Sequence, residues 1–560
     1  MRFKRALPNA AVIALFIVFS AAQAHASAPG KDNWARWEIW SWKDVALGNV
    51  TTNLDSGGGS DEGGGIGGKA GWGRGGSASA NVPVGSRVYE CLERLELDGL
   101  IKTGLLSTRP ISRAEGARLT SEAERRFEAL PEQLKQRKSR ARADIQRLKT
   151  MFREELGGGS PAVLVKPADR IYLEYLYSSK TPVFPNVNNN GDEFRKGANL
   201  RLGTDTAVKL FNRASLYLNP EFRLSDDTPS GKLLQGYLTF DLAGVELEAG
   251  RDSMWWGAGY HGDLLLTNNA APFDMIKVSS ARPVLLPWKL KYLGLFKPTF
   301  FLTHLEKDRD FPRASLLGMR LDFKPTPRFQ IALNRVFIFG GEGRRSLNLG
   351  EWAKVFFVSD SADHADSPIN GDQLASIDAS YVYASENSYI PFSGLKLYTE
   401  WGAEDSSGHT KTPTGRANLY GVFVSGPFWM PDVDLRVEWA NTARNARYGP
   451  LWYEHGVYTD GYRYNGLVIG HHMGGDAQDL FLRAQYHGDN GKQIGVEYDT
   501  ERSGIHGSSV TKKKWLGVDV TYPLKTDISV QGNYGMEVVK SDNSEPVKGF
   551  TVGVKMAWEF

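Results

Sequence analysis

The sequence predicts a mainly β fold: a large antiparallel transmembrane β-barrel of about 18 strands with an N-terminal periplasmic α-helical unit. Three observations lead to this prediction. The chain opens with an export signal and has no later apolar run long enough for a membrane helix. Its polarity alternates with period two through the region from about residue 165 to residue 560, and one face of the last segment is wholly apolar down to Phe560.

The N-terminal residues have the pattern of a secretory signal peptide. Arg2, Lys4 and Arg5 precede an apolar run over residues 10–19, and small residues at cleavage spacing follow up to Ala26. No later window approaches the roughly 20 apolar residues of a membrane helix. A membrane protein with this sequence would therefore cross as a barrel. The formal net charge of +3 becomes zero when the three leading cations are removed, so the overall charge indicates no partner.

A glycine-rich stretch occupies residues 57–76 and reads GGGSDEGGGIGGKAGWGRGG. Such a segment loses too much backbone entropy on ordering to form a core, which predicts a flexible linker. Residues 63–69 match G-x-x-x-x-G-K, but Ala70 replaces the required Ser or Thr and no apolar strand precedes them. We therefore expect no nucleotide binding there.

Helical periodicity begins near Val82 and ends near Leu156. One apolar face combines Val88, Leu92 and Leu95 with Cys91, and a later face consists of Ala141, Ile145, Leu148 and Phe152. Cys91 is the only cysteine, which excludes an intramolecular disulfide, and its helical spacing with these apolar residues predicts a buried thiol. The last helix is strongly basic, which is more typical of a solvated face than of contact with an anionic polymer or lipid.

Segments of alternating polarity recur through the barrel region without an intervening helix. They include residues 319–323, 435–439, 516–522 and 528–534, and the last has the apolar face Phe550, Val552, Val554, Met556, Trp558 and Phe560. The other face holds Arg, Glu and Asp, and aromatic residues lie near segment ends, which favours a lipid-facing barrel over a water-soluble sandwich. Strands of about 10 residues give roughly 18 strands, and we expect an even number because both barrel termini should be periplasmic.

The predicted organisation has four parts. These are a signal peptide (1–26), a Gly-rich flexible segment (27–81), a periplasmic helical unit (82–160) and an outer-membrane β-barrel (165–560). A C-terminal Phe after this alternation is shared by proteins that the outer-membrane barrel assembly machinery inserts. That machinery is therefore an expected partner during insertion.

One segment of the barrel region has an unusual composition. It reads GRDSMWWGAGYHGDLLLTNNA over residues 250–270 and continues as APFDMIK to residue 277. This segment resembles the hallmark segment of the Wzi-type capsule assembly family. The start of the helical unit, VPVGS at residues 82–86, and the barrel length are similar to that family too, whereas the Gly-rich segment departs from its pattern.

The resemblance implies an outer-membrane barrel with a periplasmic helical bundle, acting as a lectin that attaches capsular polysaccharide or exopolysaccharide to the cell. It implies no catalysis and no cofactor. The expected partners are the surface polysaccharide and outer-membrane lipid, with no nucleic acid, and we expect a monomer.

Two clusters carry side chains suited to sugars, which stack on aromatic rings and hydrogen-bond to amides and Arg. The first comprises Trp255, Trp256, Tyr260, His261, Asn268 and Asn269. The second is an aromatic loop that could face outside, where a polymer would be met, with Trp452, Tyr453, His455, Tyr458, Tyr462, Arg463 and Tyr464. A Trp pair beside Gly is also typical of an interfacial girdle or a lumen plug, so both interpretations stay open.

An outer-membrane enzyme is a weaker alternative. His261, Asp263 and Ser253 suggest a nucleophilic set, and His471-His472 near Asp476 suggest a metal site. The sequence has no G-x-S-x-G elbow and no H-E-x-x-H helix, and adjacent His residues on a strand would point to opposite faces. We therefore predict neither a catalytic nor a metal site.

Two further alternatives concern the whole barrel and the helical unit. A barrel of this size could enclose water, so a porin or polysaccharide channel is the main rival function. Residues 99–101 and 109–115 are similar to one surface-layer-homology repeat, a module that binds cell-wall polymer. Because single repeats bury little surface, a plug or scaffold is the favoured role.

Overall fold

The computed structural model describes residues 78–157, 163–211, 213–225, 228–348, 350–352, 356, 370–385, 389–407, 412–414, 416–443, 452–525, 527–542 and 544–560. The predicted signal peptide, the G-x-x-x-x-G-K match and the Gly-rich segment up to residue 77 lie outside the described residues.

The helical unit contains five helices: α1 (Val88–Leu97), α2 (Arg113–Glu128), α3 (Glu132–Arg137), α4 (Ser139–Met151) and α5 (Arg153–Leu156). The side chain of Ser112 accepts a hydrogen bond from the amide of Glu115 and so caps α2. The predicted apolar faces of α1 and α4 join in one core with Leu119 of α2. Cys91 is buried in this core, and burial raises the pKa of its thiol to about 11.

Eighteen strands form the barrel in the described part of the chain, which confirms the predicted fold class. They are β1 (Val163–Ser178), β2 (Gly197–Leu210), β3 (Ala214–Ser225), β4 (Thr228–Leu242), β5 (Val245–Asp252), β6 (Phe273–Ser280), β7 (Leu295–His304), β8 (Ser315–Thr326), β9 (Phe329–Phe339), β10 (Asp372–Ala384), β11 (Gly394–Ala403), β12 (Ala417–Ser425), β13 (Val433–Asn441), β14 (Ala477–His487), β15 (Gln493–Ser503), β16 (Thr511–Pro523), β17 (Ile528–Ser541) and β18 (Val547–Glu559).

Each barrel strand pairs antiparallel with the next, and β18 closes the barrel by pairing with β1 in the register Leu173 to Met556. The short strand Val284–Leu285 extends the pairing of β6 with β7. Three short hairpins or ladders lie outside the barrel wall: Thr108–Arg109 with Trp255–Trp256, Asp405–Ser407 with Thr412–Thr414, and Arg463–Tyr464 with Leu467–Val468. None of the helices in the described part of the chain is long and apolar enough to span a membrane.

The period-two alternation sorts side chains between the outside and the lumen. The apolar residues 550–560 of the last segment expose 40–48% of their surface on the outside, whereas Thr551 between them is buried. In β13, Val437 and Trp439 point outward and Arg436 and Glu438 inward. The outward face is therefore apolar and the lumen is charged, as a transmembrane barrel requires.

The two ends of the barrel differ. At the end that holds the helical unit, several strands are joined by short turns, for example over 243–244 and 327–328. The longest connections, 340–371 and 442–476, lie at the opposite end. Exposed aromatic side chains lie in turns at the helical end, as in an interfacial belt: Phe211, Trp288, Tyr292, Phe428 and Trp429.

Buried ion pairs hold the helical unit against the barrel wall. Glu93 of α1 accepts hydrogen bonds from Lys396 and Arg436, both at 2.7 Å, and Glu96 accepts one from Lys324 at 2.6 Å. Burial alone would raise the pKa of Glu93, but Arg436 and Lys396 outweigh it and hold that pKa well below its usual range. The carboxylate is therefore charged and paired inside the protein.

Two basic side chains, Arg140 of α4 and Lys138 just before it, are less solvated than the sequence led us to expect. Arg140 binds Asp434 and Ser425 at the rim of the barrel, and Lys138 binds Asp98. The expectation of a merely solvated face was wrong for these two, because their partners are distant in sequence or on another element.

Candidate functional site

Residues 253–272, between β5 and β6, run inside the barrel, and we call them the lumen segment. Trp255 and Trp256 pair antiparallel with Arg109 and Thr108 of the helical unit. Gly257 follows with φ of +135°, and a Cβ there would collide with the carboxylate of Asp263. The glycine therefore allows a chain path that a larger residue would not tolerate.

Carboxylates of the barrel wall hold the backbone of the lumen segment. Glu438 of β13 accepts hydrogen bonds from the amides of Tyr260 and His261 at 2.6 and 2.8 Å, and Glu400 of β11 accepts one from the amide of Leu264 at 2.6 Å. Buried backbone groups outside regular structure need such partners. These inward acidic residues therefore bind a plug instead of lining open water.

A second inner segment, residues 452–476, packs against the lumen segment. The hydroxyl of Tyr453 donates to the carbonyl of Leu264 at 2.5 Å, and that of Tyr462 donates to Leu265 at 2.8 Å. The amide of Thr267 donates to the carbonyl of Ile469 at 3.0 Å. The two segments thus form one plug inside the barrel.

Most of the aromatic residues predicted to contact sugar are buried in this plug. Trp255 and Trp256 expose 3% and 0% of their surface, and Trp452, Tyr453, Tyr458 and Tyr462 expose 1% or less. Asn268 and Asn269 donate to the backbone carbonyls of Asn188 and Val468. In this structure the buried rings have no face free for a sugar, and the prediction that the second cluster faces outside was wrong for its four buried rings. A plug must bury its apolar side chains to exclude water.

Tyr260 and His261 lie between the plug and the wall. The guanidinium of Arg436 lies over the Tyr260 ring, 4.6 Å from its centroid. A small cavity borders Tyr260, between α1 and strands β13 and β14, and Glu93, Arg436 and Arg483 also line it. The His261 ring stacks on Phe481 with centroids 4.1 Å apart, and its Nε2 lies 2.6 Å from Asp499 of β15.

The residues proposed for a nucleophilic set do not converge. His261 pairs with Asp499, the hydroxyl of Ser253 donates to Asn190, and Asp263 accepts hydrogen bonds from the indole of Trp255 and the amide of Gly259. The argument against a metal site at His471 and His472 also rested on a wrong premise, because these two residues lie in a turn and not on a strand. Of the two, His472 approaches His261, Asp479 and Asp499.

At the end opposite the helical unit, two loops, residues 305–314 and 340–348, meet the outer part of the second inner segment, residues 454–467, and the three stretches form an outer loop surface. Arg309 donates to the carbonyls of Gly461 and Arg463, which ties the first loop to the third. Phe311 packs on Tyr458 with centroids 5.1 Å apart, and the guanidinium of Arg344 lies over both rings. Arg463 is half-buried there and pairs with Glu454 at 2.5 Å.

Sequence reasoning did not single out the inward carboxylates that contact the inner segments: Glu400, Glu438, Asp479 and Asp499. Their signal was present, because each occupies the polar face of an alternating segment. Period two gives the face that a side chain occupies but not its partner across the lumen.

Comparison with known proteins gives several similarities. The family model described as capsule assembly protein Wzi matches residues 178–551. An uncharacterized 55.8 kDa protein in the cps region of Klebsiella pneumoniae is 25% identical over 197 residues, and the alignment covers 31% of this chain and 38% of that relative.

Two solved structures match the chain to different degrees. Wzi of Escherichia coli, described as a carbohydrate-binding β-barrel of the outer membrane involved in group 1 capsule assembly, matches with a TM-score of 0.64 at 18% identity, covering 85% of this chain and 99% of that one. Acinetobacter baumannii OccAB2 matches with a TM-score of 0.43 at 9% identity, covering 70% and 97%.

The family match spans well over half of the chain, and it agrees with the barrel architecture and with the resemblance of residues 250–277. The chain therefore belongs to the Wzi capsule assembly family of outer-membrane β-barrel proteins.

Proposed function

We propose that this protein binds a capsular polysaccharide or exopolysaccharide and attaches it to the cell surface without covalent chemistry. Its family membership supports capsule assembly, and the description of Escherichia coli Wzi as carbohydrate-binding supports the sugar. We also propose that the mature chain is a monomer in outer-membrane lipid, inserted by the barrel assembly machinery, with the helical unit on the periplasmic side.

The observation that carries this proposal is the plugged lumen. The helical unit is fixed to the wall by buried ion pairs at one end, and the lumen segment is fixed by Glu400 and Glu438 further inside. A filled barrel offers a polymer its outer surface and is poorly suited to carry it through. Among the described residues, the triad proposed for an enzyme does not converge, which supports a non-catalytic role.

The outer loop surface is the proposed contact region. Barrels of this class carry their longer loops on the extracellular side, where a surface polymer is met. Arg463 is the residue from the predicted sugar-binding set that lies on this surface and retains an accessible charged side chain. Its guanidinium suits hydroxyl and carboxylate groups of a sugar chain.

Deletion of the gene tests the function in the cell. We expect the staining of cell-attached polysaccharide to fall and the shed fraction to rise, while total polymer stays similar. Unchanged attachment and unchanged shedding would refute the proposal.

The contact surface is tested with purified, folded protein. Arg463→Ala should weaken binding of the purified polysaccharide by about tenfold or more, since hydrogen bonds to charged groups contribute about 1.5–3 kcal/mol. Arg125→Ala, an exposed Arg on the helical unit, is the matched control and should bind as the wild type does. Equal affinities of the two variants would exclude the outer loop surface around Arg463.

Substitution of Trp256 tests whether the Trp pair stabilises the plug or contacts the polysaccharide. Trp256→Ala should lower stability by about 3–5 kcal/mol, because it leaves a cavity in the plug. The folded fraction should bind polysaccharide with unchanged affinity, since the ring has no exposed face. Affinity measured by titration and the thermal midpoint measured by near-UV circular dichroism check both statements; a large loss of affinity in folded protein would restore a sugar contact.

A further inference from the structure

Four side chains from separate parts of the chain meet inside the barrel. They are His261 of the lumen segment, His472 of the second inner segment, Asp479 of β14 and Asp499 of β15, and each offers a ligand atom within 4.8 Å of the others. Nε2 of His261 lies 2.6 Å from Asp499 and 3.6 Å from Asp479, and Nε2 of His472 lies 3.5 Å from Asp479.

Several atoms of this group lack partners although they are buried. Neither ring nitrogen of His472 has a hydrogen-bond partner in the described part of the chain, and the same holds for Oδ1 of Asp479 and of Asp499. The side chains of these three residues expose only 1%, 2% and 0%. Buried polar atoms are nearly always partnered in folded proteins, so a group of buried ligand atoms without protein partners indicates a site that binds a ligand.

We propose that His261, His472, Asp479 and Asp499 bind one divalent cation of the zinc class. Two imidazole nitrogens suit Zn²⁺, whereas Ca²⁺ and Mg²⁺ favour sites made of oxygen ligands. Zn–N and Zn–O bonds are about 2.0–2.2 Å, which places the ligand atoms of a tetrahedral site about 3.4 Å apart. The separations of 3.5 and 3.6 Å fit this arrangement, and the 2.6 Å contact of His261 with Asp499 opens as both bind the ion.

The charge of the group is consistent with a divalent ion. Asp479 and Asp499 supply two negative charges in a buried site, and the nearby Glu501 already has Lys513 as a partner at 2.5 Å. Two buried carboxylates that face each other without a cation are costly, and a divalent ion balances them.

The side chain of His261 is held in place by contacts of its backbone and ring. The amide of His261 donates to Glu438, its carbonyl accepts a hydrogen bond from Asn188 at 2.6 Å, and its ring stacks on Phe481. The bound ion ties both inner segments to β14 and β15. It therefore fastens the plug to the wall, a role independent of polysaccharide binding.

The experiment uses the full mature protein, folded in detergent, stripped with a chelator and then supplied with Zn²⁺ alone. We expect one zinc per chain by elemental analysis and a higher thermal midpoint in the presence of zinc, because a ligand that binds only the folded state stabilises it. His472→Gln should bind zinc at least about tenfold more weakly, by analogy with the loss of groups that support a metal site.

His487→Gln is the matched control, since this buried His lies outside the group and pairs with Asp434. It should retain the zinc stoichiometry of the wild type, and heat-modified gel mobility should show that both variants are folded barrels. If zinc bound the wild type no more tightly than His472→Gln, or if zinc left the thermal midpoint of the wild type unchanged, the proposal would be wrong. The second measurement needs no variant and remains decisive if His472→Gln fails to fold.

Discussion

Individual charged residues in this protein act through partners that are far away in the sequence. Glu93 of α1 meets Lys396 and Arg436, each about three hundred positions further along the chain. The sequence places Arg436 on the polar face of an alternating segment, but nothing local indicates that its partner is a helix. A polar residue on the inner face of a barrel strand can meet water, a ligand or a plug, and only the folded chain distinguishes these.

Glu93→Gln tests the ion pairs at the base of the plug. It removes the charge but keeps the shape, so Lys396 and Arg436 lose their partner while buried. We expect the docked helical unit to lose about 3–5 kcal/mol of stability, as when one member of a buried pair is removed. Urea unfolding followed by hydrogen exchange of α1 measures the loss.

Glu128→Gln is the control for that change, because Glu128 forms an exposed pair with Lys135 on the same unit. Exposed pairs contribute about 0–1 kcal/mol, so this variant should resemble the wild type. Similar losses in the two variants would contradict a special role of Glu93.

The pH dependence follows from the same carboxylate. Its pKa in the folded protein is held well below the unfolded value of about 4.3, so its stabilisation is fully present above that value and is lost only as pH falls toward the folded pKa. The protection of the α1 amides, expressed relative to the intrinsic exchange rate at each pH, should therefore be similar at pH 7 and pH 5. Release of α1 between pH 7 and pH 5 would contradict this prediction.

At the scale of elements, regular strands were predictable and the inner segments were not. Alternation with period two is a local property, so residues 435–439 and 528–534 were recognised correctly as strands. The lumen segment has no such period. Its conformation depends on contacts with the residues that precede α2, with strands β11 and β13, and with residues 452–476. His261 and His472 likewise come together only after both inner segments have folded. This is why no local pattern pairs them, and why the assignment of the adjacent His471 and His472 to a strand was wrong.

Glu438→Ala tests how the lumen segment is held. The change removes the acceptor for the amides of Tyr260 and His261, and each such charge-assisted bond contributes about 1.5–3 kcal/mol. We expect hydrogen exchange of peptides that cover these two amides to become at least about tenfold faster. Glu497→Ala, which removes an inward Glu bound to Arg483 and Trp515, should leave this exchange unchanged. Equal rates in wild type and Glu438→Ala would show that the other contacts suffice.

For the whole molecule, the question is whether the lumen of the barrel is closed by the plug or open as a channel. Eighteen strands enclose enough space for a water-filled channel, and the strand count alone is compatible with a porin. The same inward charges that would line a channel are here used as plug contacts. Arg320 of β8, for example, is fully buried and donates to Ser107 and Thr108 of the helical unit as well as to Asp322 and Asp378 of the wall. The fold class was therefore predictable from the sequence. Whether the lumen is open or plugged could be determined only from the contacts between the helical unit, the inner segments and the wall.

Planar bilayer recording decides between these two functions. Because the helical unit is fixed across one end of the barrel and both inner segments fill the lumen, the purified protein should show no large, steady channels. A double variant, Glu93→Ala with Glu96→Ala, removes the partners of Lys396, Arg436 and Lys324 and should produce transient openings as the helical unit loosens. Glu128→Ala leaves these contacts intact and should stay silent. Large steady conductance of the wild type would mean that the plug does not close the barrel, and a channel function would then replace attachment at a closed surface.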